Sequence, residues 1–216
     1  LIKELAEIDH ENKYSIVYLG DKPGVSATPP TISNPNFHTT FSSIPGKLLR
    51  ASWNLTSFPK VSFWTKGKAD LVHFSGGCVY IPTSGEKVIT TLHGFLYQKH
   101  PEFADPRKLT FGLEMLEKTI NHSNHFVTVS ETNKKELAEI FSVNPSMITA
   151  IPLGISQEFH EYEFTKEERS AFLRKYSLPE KDFLLYVGSI EPNKNIQGIL
   201  TAYSKLPLGT RNNINL

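Results

Sequence analysis

Residues 125–151 read HFVTVSETNKKELAEIFSVNPSMITAI, and this stretch decides the fold. His125-Phe126-Val127-Thr128-Val129 has the length and β-branched content of a strand. Ser130 then stands where a side-chain oxygen caps the first turn of a helix. Leu137, Ile140 and Phe141 share one face of that helix and are expected to be buried. Met147-Ile148-Thr149-Ala150-Ile151 is a second strand, stopped by Pro152-Leu153-Gly154. Strand and helix in alternation imply a mostly parallel sheet with helices on both faces.

The same alternation extends outward. Upstream, a helix is predicted from Pro106 to Asn121, with Leu109, Leu113, Leu116 and Ile120 at i, i+4, i+7 and i+11. Strands are predicted at 87–92 and 69–74, and a helix from Pro45, in its first turn, to about Phe58. Residues 21–44 carry four prolines and read as a long loop with one short strand. Tyr14–Leu19 is a strand ended by Gly20-Asp21, preceded by a helix whose apolar positions are 1, 2, 5 and 8. Downstream, Thr165-x-x-Glu168 is a capping box for a helix expected to bury Phe172, Leu173 and Tyr176. Phe183 to Val187 is continuously apolar, as in a parallel strand covered on both faces. Ile196, Ile199, Leu200 and Tyr203 mark the next helix.

The fold class is therefore α/β. The break between Gly154 and Thr165 reads as a linker, giving a first domain over 1–155, a linker and helix over 156–182, and the start of a second domain over 183–216. The chain opens inside a helix without Met and closes in a polar stretch, so it reads as a fragment.

Composition narrows the function classes. The chain has 216 residues, 39% apolar and 21% charged, with 23 Lys+Arg against 22 Asp+Glu. A net charge of +1 gives no general attraction to nucleic acid, so anion affinity has to come from a local site. A single cysteine, Cys78, excludes an internal disulfide and a Cys-rich metal module, and reads as a small buried apolar residue. No apolar run approaches the ~18 residues of a membrane span. There is no G-x-G-x-x-G, no Walker A sequence and no G-x-S-x-G elbow, and the last absence removes the α/β-hydrolases.

In open parallel sheets, ligands bind beyond the carboxyl ends of the strands. The segment Gly188-Ser189-Ile190-Glu191-Pro192-Asn193-Lys194-Asn195 lies at such an end. Lys194 offers a point charge there, and Asn195 caps a helix whose first N–H groups favour a phosphate. The competing reading is an ordinary β–α loop with a solvated lysine. His93, before Gly94, is placed to bond a sugar hydroxyl or phosphate, or to act as acid or base. Its alternative is a ring pinned by neighbouring backbone. His73, Ser130 and Glu131 complete the candidate cleft, His73 with the stronger case for being a simple strand end. His122 and His125 straddle a helix end and a strand start without a carboxylate or Cys partner, so zinc is not expected. The sequons Asn54-Leu55-Thr56 and Asn121-His122-Ser123 carry little meaning without a secretory signal.

Three ordered motifs, Val127-Thr128-Val129-Ser130-Glu131, Ile151-Pro152-Leu153-Gly154-Ile155 and Tyr186 to Ile196, resemble those of the group 4 retaining glycosyltransferases of the GT-B fold. Asp70-Leu71-Val72-His73, Thr91-Leu92-His93-Gly94 and His100-Pro101-Glu102 resemble that family too, and the pattern is most similar to bacterial mannosyltransferase-like polysaccharide enzymes. The resemblance implies two Rossmann-like domains with the active site between them. Residues 1–155 would form the acceptor-side domain, lacking its first strand, and 183–216 the start of the nucleotide-sugar domain. It implies that Lys194 contacts the donor phosphates, that Gly188 lets the loop approach them, and that His93 lies near the transferred sugar. It implies no metal, positive side chains and a helix dipole stabilising the leaving diphosphate instead. Ser189 departs from the family, many members of which carry arginine there.

The expected partners are a nucleotide-diphosphate sugar and a glycan or lipid-linked acceptor, with no nucleic acid. A cytoplasmic location with peripheral contact at the inner membrane is expected. The chain alone is expected to be inactive, needing its C-terminal half or a partner subunit. The alternatives are a noncatalytic binding module, one half of a split transferase, or a nucleotide-sugar epimerase.

Overall fold

A computed structural model describes residues 1–19, 32–67, 69–76, 80–104, 106–155, 159 and 163–216, without the side chains of 106–108 and 111. Gly20-Asp21, most of the 21–44 loop, Gly77, Cys78 and nearly all of the 156–162 part of the linker lie outside the described residues. The chain forms two compact units, Leu1–Lys99 with Pro106–Pro152 and His100–Asp105 with Leu153–Leu216.

In the first unit, α1 (Ile2–Ile8) leads to β1 (Tyr14–Leu19), which pairs in parallel with β2 (Phe37–Ser42). Tyr14 stacks on Phe37 at 4.3 Å and Tyr18 on Phe41 at 5.3 Å. Such cross-strand aromatic pairs stabilise a strand whose own sequence is mostly polar. α2 (Gly46–Thr56) starts one residue later than its proline suggests, with Pro45 as N-cap in an extended conformation. Leu49 and Trp53 of α2 and Trp64 of the short α3 (Ser62–Thr65) form a core with Val17, Leu19, Ile44 and Ile81. Trp53 Nε1 donates to the Pro59 carbonyl at 2.8 Å, so the buried indole keeps its hydrogen bond.

The centre of this unit is a four-stranded, all-parallel sheet in the order β3 (Leu71–Phe74), β4 (Lys87–Leu92), β5 (His125–Thr128), β6 (Ile148–Ala150). α4 (Leu96–Lys99) and α5 (Pro106–His122) stand between β4 and β5, and α6 (Glu131–Phe141) crosses from β5 to β6. Leu92, Phe95, Leu116, Phe126, Leu137, Val143 and Ile148 form the main core. Phe126 and Leu137 are 0% exposed, and burial of each side chain contributes roughly 1.5–3 kcal/mol. Ile140, expected inside, is 42% exposed, because Leu137 and Phe141 already fill the stripe of α6 that meets the sheet.

The turn from α5 into β5 is fixed by a hydroxyl relay. Ser123 Oγ donates to the Thr119 carbonyl and pairs with Thr90 Oγ1, each at 2.7 Å, and Thr119 Oγ1 donates to Met115 O at 2.7 Å. These buried groups are satisfied, as burial of a hydroxyl requires. Ser123 is therefore a packing residue of the second sequon. Burial alternates along β4 and β5. Val88, Thr90, Leu92, Phe126 and Thr128 are buried, whereas Leu71, His73 and Lys87 on the opposite face are exposed.

In the second unit, α7 (Lys166–Lys175) opens with the anticipated capping box at Thr165 and Glu168. Of its three expected core residues only Leu173 is buried, at 4% exposure. Phe172 and Tyr176 are exposed, and their rings meet at a tilt with centroids 4.8 Å apart. β7 is only Asp182–Phe183, paired in parallel with β8 (Ile214–Asn215). The expected five-residue strand covered on both faces is not formed. Leu184, Leu185 and Val187 are exposed, because the described residues give this strand one two-residue partner and no second neighbour. α8 (Ile196–Ser204) and α9 (Leu208–Asn213) complete the unit. Leu200, expected in the buried stripe of α8, is 49% exposed.

Candidate functional site

The carboxyl ends of β3, β4 and β5 are tied by one chain of hydrogen bonds. His93 follows β4, and its Nε2 lies 3.2 Å from the Ser75 carbonyl beyond β3. A carbonyl only accepts, so Nε2 carries the proton. The His93 carbonyl accepts from Asn133 Nδ2 at 2.8 Å, and the Asn133 N–H is capped by Ser130 Oγ at 3.1 Å. Phe95, 2% exposed and 5.5 Å from the Phe141 ring, anchors the other side of the loop in the core. Gly94 has φ +155°, and a Cβ there would stand 3.7 Å from Asn133 Nδ2. Conformation, rather than lack of space, favours glycine at this position.

His93, Gly94 and Ser130 are thus brought together, and His93 is both exposed and pinned by backbone. Glu131 is exposed in the first turn of α6, where a carboxylate is favourable to the helix N-terminus. His73 stands apart. Its register partner is Ile89, which also pairs with His125, so His73 lies on the open sheet face rather than at the strand end. His73 Nε2 meets Thr91 Oγ1 at 2.8 Å, and partial desolvation lowers its pKa. His125 makes the equivalent bond to Thr149 Oγ1 at 2.9 Å. His122 Nδ1 instead approaches the Lys118 carbonyl at 2.7 Å, so the two histidines of the 122–125 pair are committed to different partners.

Sequence reasoning passed over Asn133 and Phe95. Asn133 was legible only as the third residue after a serine cap, and Phe95 only as an aromatic two residues beyond His93.

In the second unit, Lys194 ends a 3-10 turn over Pro192–Lys194 and is exposed. Asn195 has φ +50° and caps α8, its Oδ1 accepting from the Gly198 N–H at 3.2 Å. One of the first-turn donors of α8 is therefore spent on the cap. Ser189 Oγ donates to Glu191 Oε2 at 2.9 Å, which places a carboxylate within the same loop. Tyr186 Oη donates to the Ser189 carbonyl at 3.2 Å and crosses over Gly188. A Cβ on Gly188 would come within 2.5 Å of that hydroxyl. An open groove of about 510 Å³ runs along α8 between Asn195 and Lys205, and Lys194 is not among its lining residues. His93 and Lys194 belong to different units.

The sequence profile of Glycosyltransferase Family 4 matches residues 1–159. The chain belongs to Glycosyltransferase Family 4. That match contains the parallel sheet and the His93 network, which form the Rossmann-like N-terminal domain of a GT-B architecture. The chain is also similar to mannosyltransferases. The O-antigen chain mannosyltransferase B of Escherichia coli is 28% identical over 138 residues, covering 64% of this chain and 36% of that protein. A serotype-specific mannosyltransferase WbdA of Escherichia coli is 28% identical over 112 residues, covering 52% of this chain and 14% of that protein. The chain thus spans about a third or less of the length of these relatives. Among the described residues, no helix is long and apolar enough to cross a membrane.

Proposed function

We propose that this Family 4 protein transfers mannose from a nucleotide-diphosphate donor to a glycan or lipid-linked acceptor, with retention of anomeric configuration and without a metal. The similarity to two kinds of mannosyltransferase carries the choice of sugar. In the reaction the C1–O bond of the donor breaks and the nucleoside diphosphate leaves with the electron pair. The acceptor hydroxyl oxygen forms the new C1–O bond on the same face, and its proton passes to the departing diphosphate.

In this reading Lys194 and the α8 N-terminus hold the diphosphate and offset its growing charge. Lys194 does so beside Ser189 and Glu191, without the arginine that many members carry. His93, with Nε2 held by Ser75, keeps Nδ1 for a hydroxyl of the sugar or acceptor. Asn133 and Ser130 position the His93 loop and touch no substrate.

Lys194→Ala in the intact enzyme is the test. A charge-assisted hydrogen bond is worth ~1.5–3 kcal/mol, so donor affinity should fall about tenfold or more with the unfolding midpoint unchanged. Unchanged donor affinity would sink the phosphate assignment, and loss of folding would make Lys194 a structural residue. Release of nucleotide with an epimerised free sugar and no lengthened glycan would favour the epimerase alternative.

A further inference from the structure

The loop that carries His93 runs on into a helix of only four residues, α4. A single turn is marginal by itself, because nucleation fixes several residues for very few hydrogen bonds. Gln98 and Lys99 both donate their N–H to the Phe95 carbonyl, at 3.2 and 3.3 Å. α4 also stands at a boundary. Lys99 is the last residue before the chain passes into the second unit at His100, to return at Pro106. Whatever holds α4 therefore decides how firmly His93 is held from its C-terminal side.

α6 supplies that hold. Asn133 Nδ2 donates to the His93 carbonyl, and Lys99 Nζ donates to Glu136 Oε1, each at 2.8 Å. Asn133 and Glu136, three residues apart, share one side of α6. Between these two ties the buried Phe95 ring lies 5.5 Å from that of Phe141. The ion pair is half withdrawn from water, with the Glu136 side chain 18% exposed and that of Lys99 49%. The segment 93–99 is thus fastened to one helix at both of its ends.

We infer that Lys99 and Glu136 are positioning residues for His93: their ion pair clasps the end of α4 to α6, so that displacement of residues 100–105 does not reach the imidazole. A pair of this exposure adds little to global stability. Its effect is local, since without it the segment keeps the ties of Asn133 and Phe95 but loses the one next to the boundary. The inference rests on the reading of His93 as a group that meets the sugar or the acceptor. The clasp itself is observable without either.

The experiment compares Glu136→Gln, Lys99→Gln and the double variant of the full chain with Glu139→Gln, which removes an exposed carboxylate from the same helix. Amide exchange at Gln98 and Lys99 should rise about two- to fivefold in the first three and stay unchanged in the last. The double variant should do no more than either single one, as for one shared interaction. A purely structural pair would stop there. A positioning pair also shifts the ring nitrogen resonances of His93, assigned by their loss in His93→Gln, away from the Nε2-protonated form that Ser75 holds. In the intact enzyme kcat should fall by a similar factor with the donor KM unchanged, and Lys99→Arg should preserve every readout. Unchanged exchange, additive single effects, an unmoved His93 ring, an unchanged kcat or an equal response in Glu139→Gln would each overturn the inference. An intact enzyme that transfers no sugar would overturn the reading of the function instead, and exchange with the ring resonances would still decide the clasp.

Discussion

β5 and the 183–187 segment have similar apolar sequences and opposite fates. Phe126 in β5 is 0% exposed between β4 and β6, beneath α6. Leu185 is 74% exposed and Val187 83% exposed beyond a two-residue pairing. The strand-forming pattern is local, but burial depends on neighbours on either side. The two candidate sites differ in the same way. His93 is held by the Ser75 backbone just beyond β3 on one side and by α6 on the other. Lys194 sits in an exposed loop organised by its own residues, Tyr186, Ser189 and Glu191.

The largest effect that can break this comparison is a pair of truncations. Phe126→Ala should destabilise the first unit by ~3–5 kcal/mol, whereas Leu185→Ala should cost less than about 0.5 kcal/mol. Urea unfolding followed by fluorescence and circular dichroism measures both, and similar costs would erase the distinction. The two N-caps give a smaller test. Ser130→Ala removes the cap of α6 and should cost ~1 kcal/mol. It should also loosen Asn133 and raise amide exchange at His93 and Gly94. Thr165→Ala removes an equally well formed cap on α7, but its effect should stay within the second unit. Exchange that rises at His93 in both variants would show that the units are coupled.

The smallest effect is a pH dependence. Desolvation lowers the pKa of folded His73 below its ordinary value of 6.5. The unfolded chain then binds more protons as pH falls through 6.5 toward the folded pKa, so stability is lost across that window. Above 6.5 the contribution is fully retained. His73→Gln should flatten this part of the stability profile, as followed by thermal midpoints between pH 7 and pH 5, in the region where unperturbed histidine titrates. A profile identical to that of the unsubstituted chain would place the ring in a water-like environment.

The alternating sheet was legible because β4, β5, β6 and the helices between them write their periods plainly. Ser130 and Thr165 were legible as caps because capping is a contact of three residues. β2 was legible only as a short strand within a loop, since Phe37 and Phe41 acquire their value from Tyr14 and Tyr18 across the pairing. Leu200 and Ile140 were overcounted as core, because helical period marks a face without saying how wide a partner covers it. At the site, glycine, histidine and lysine at strand ends were visible one by one. The Ser75–His93–Asn133–Ser130 chain was not, since it joins three loops that are distant in sequence.

The most direct test of the account is sugar transfer by the intact enzyme from a mannose-bearing nucleotide diphosphate to a glycan acceptor, read by mass and by proton magnetic resonance of the new linkage. The account predicts a glycan one hexose heavier, an equal amount of nucleoside diphosphate, and the anomeric configuration of the donor kept. An inverted linkage, or a donor consumed without any lengthened glycan, would contradict it.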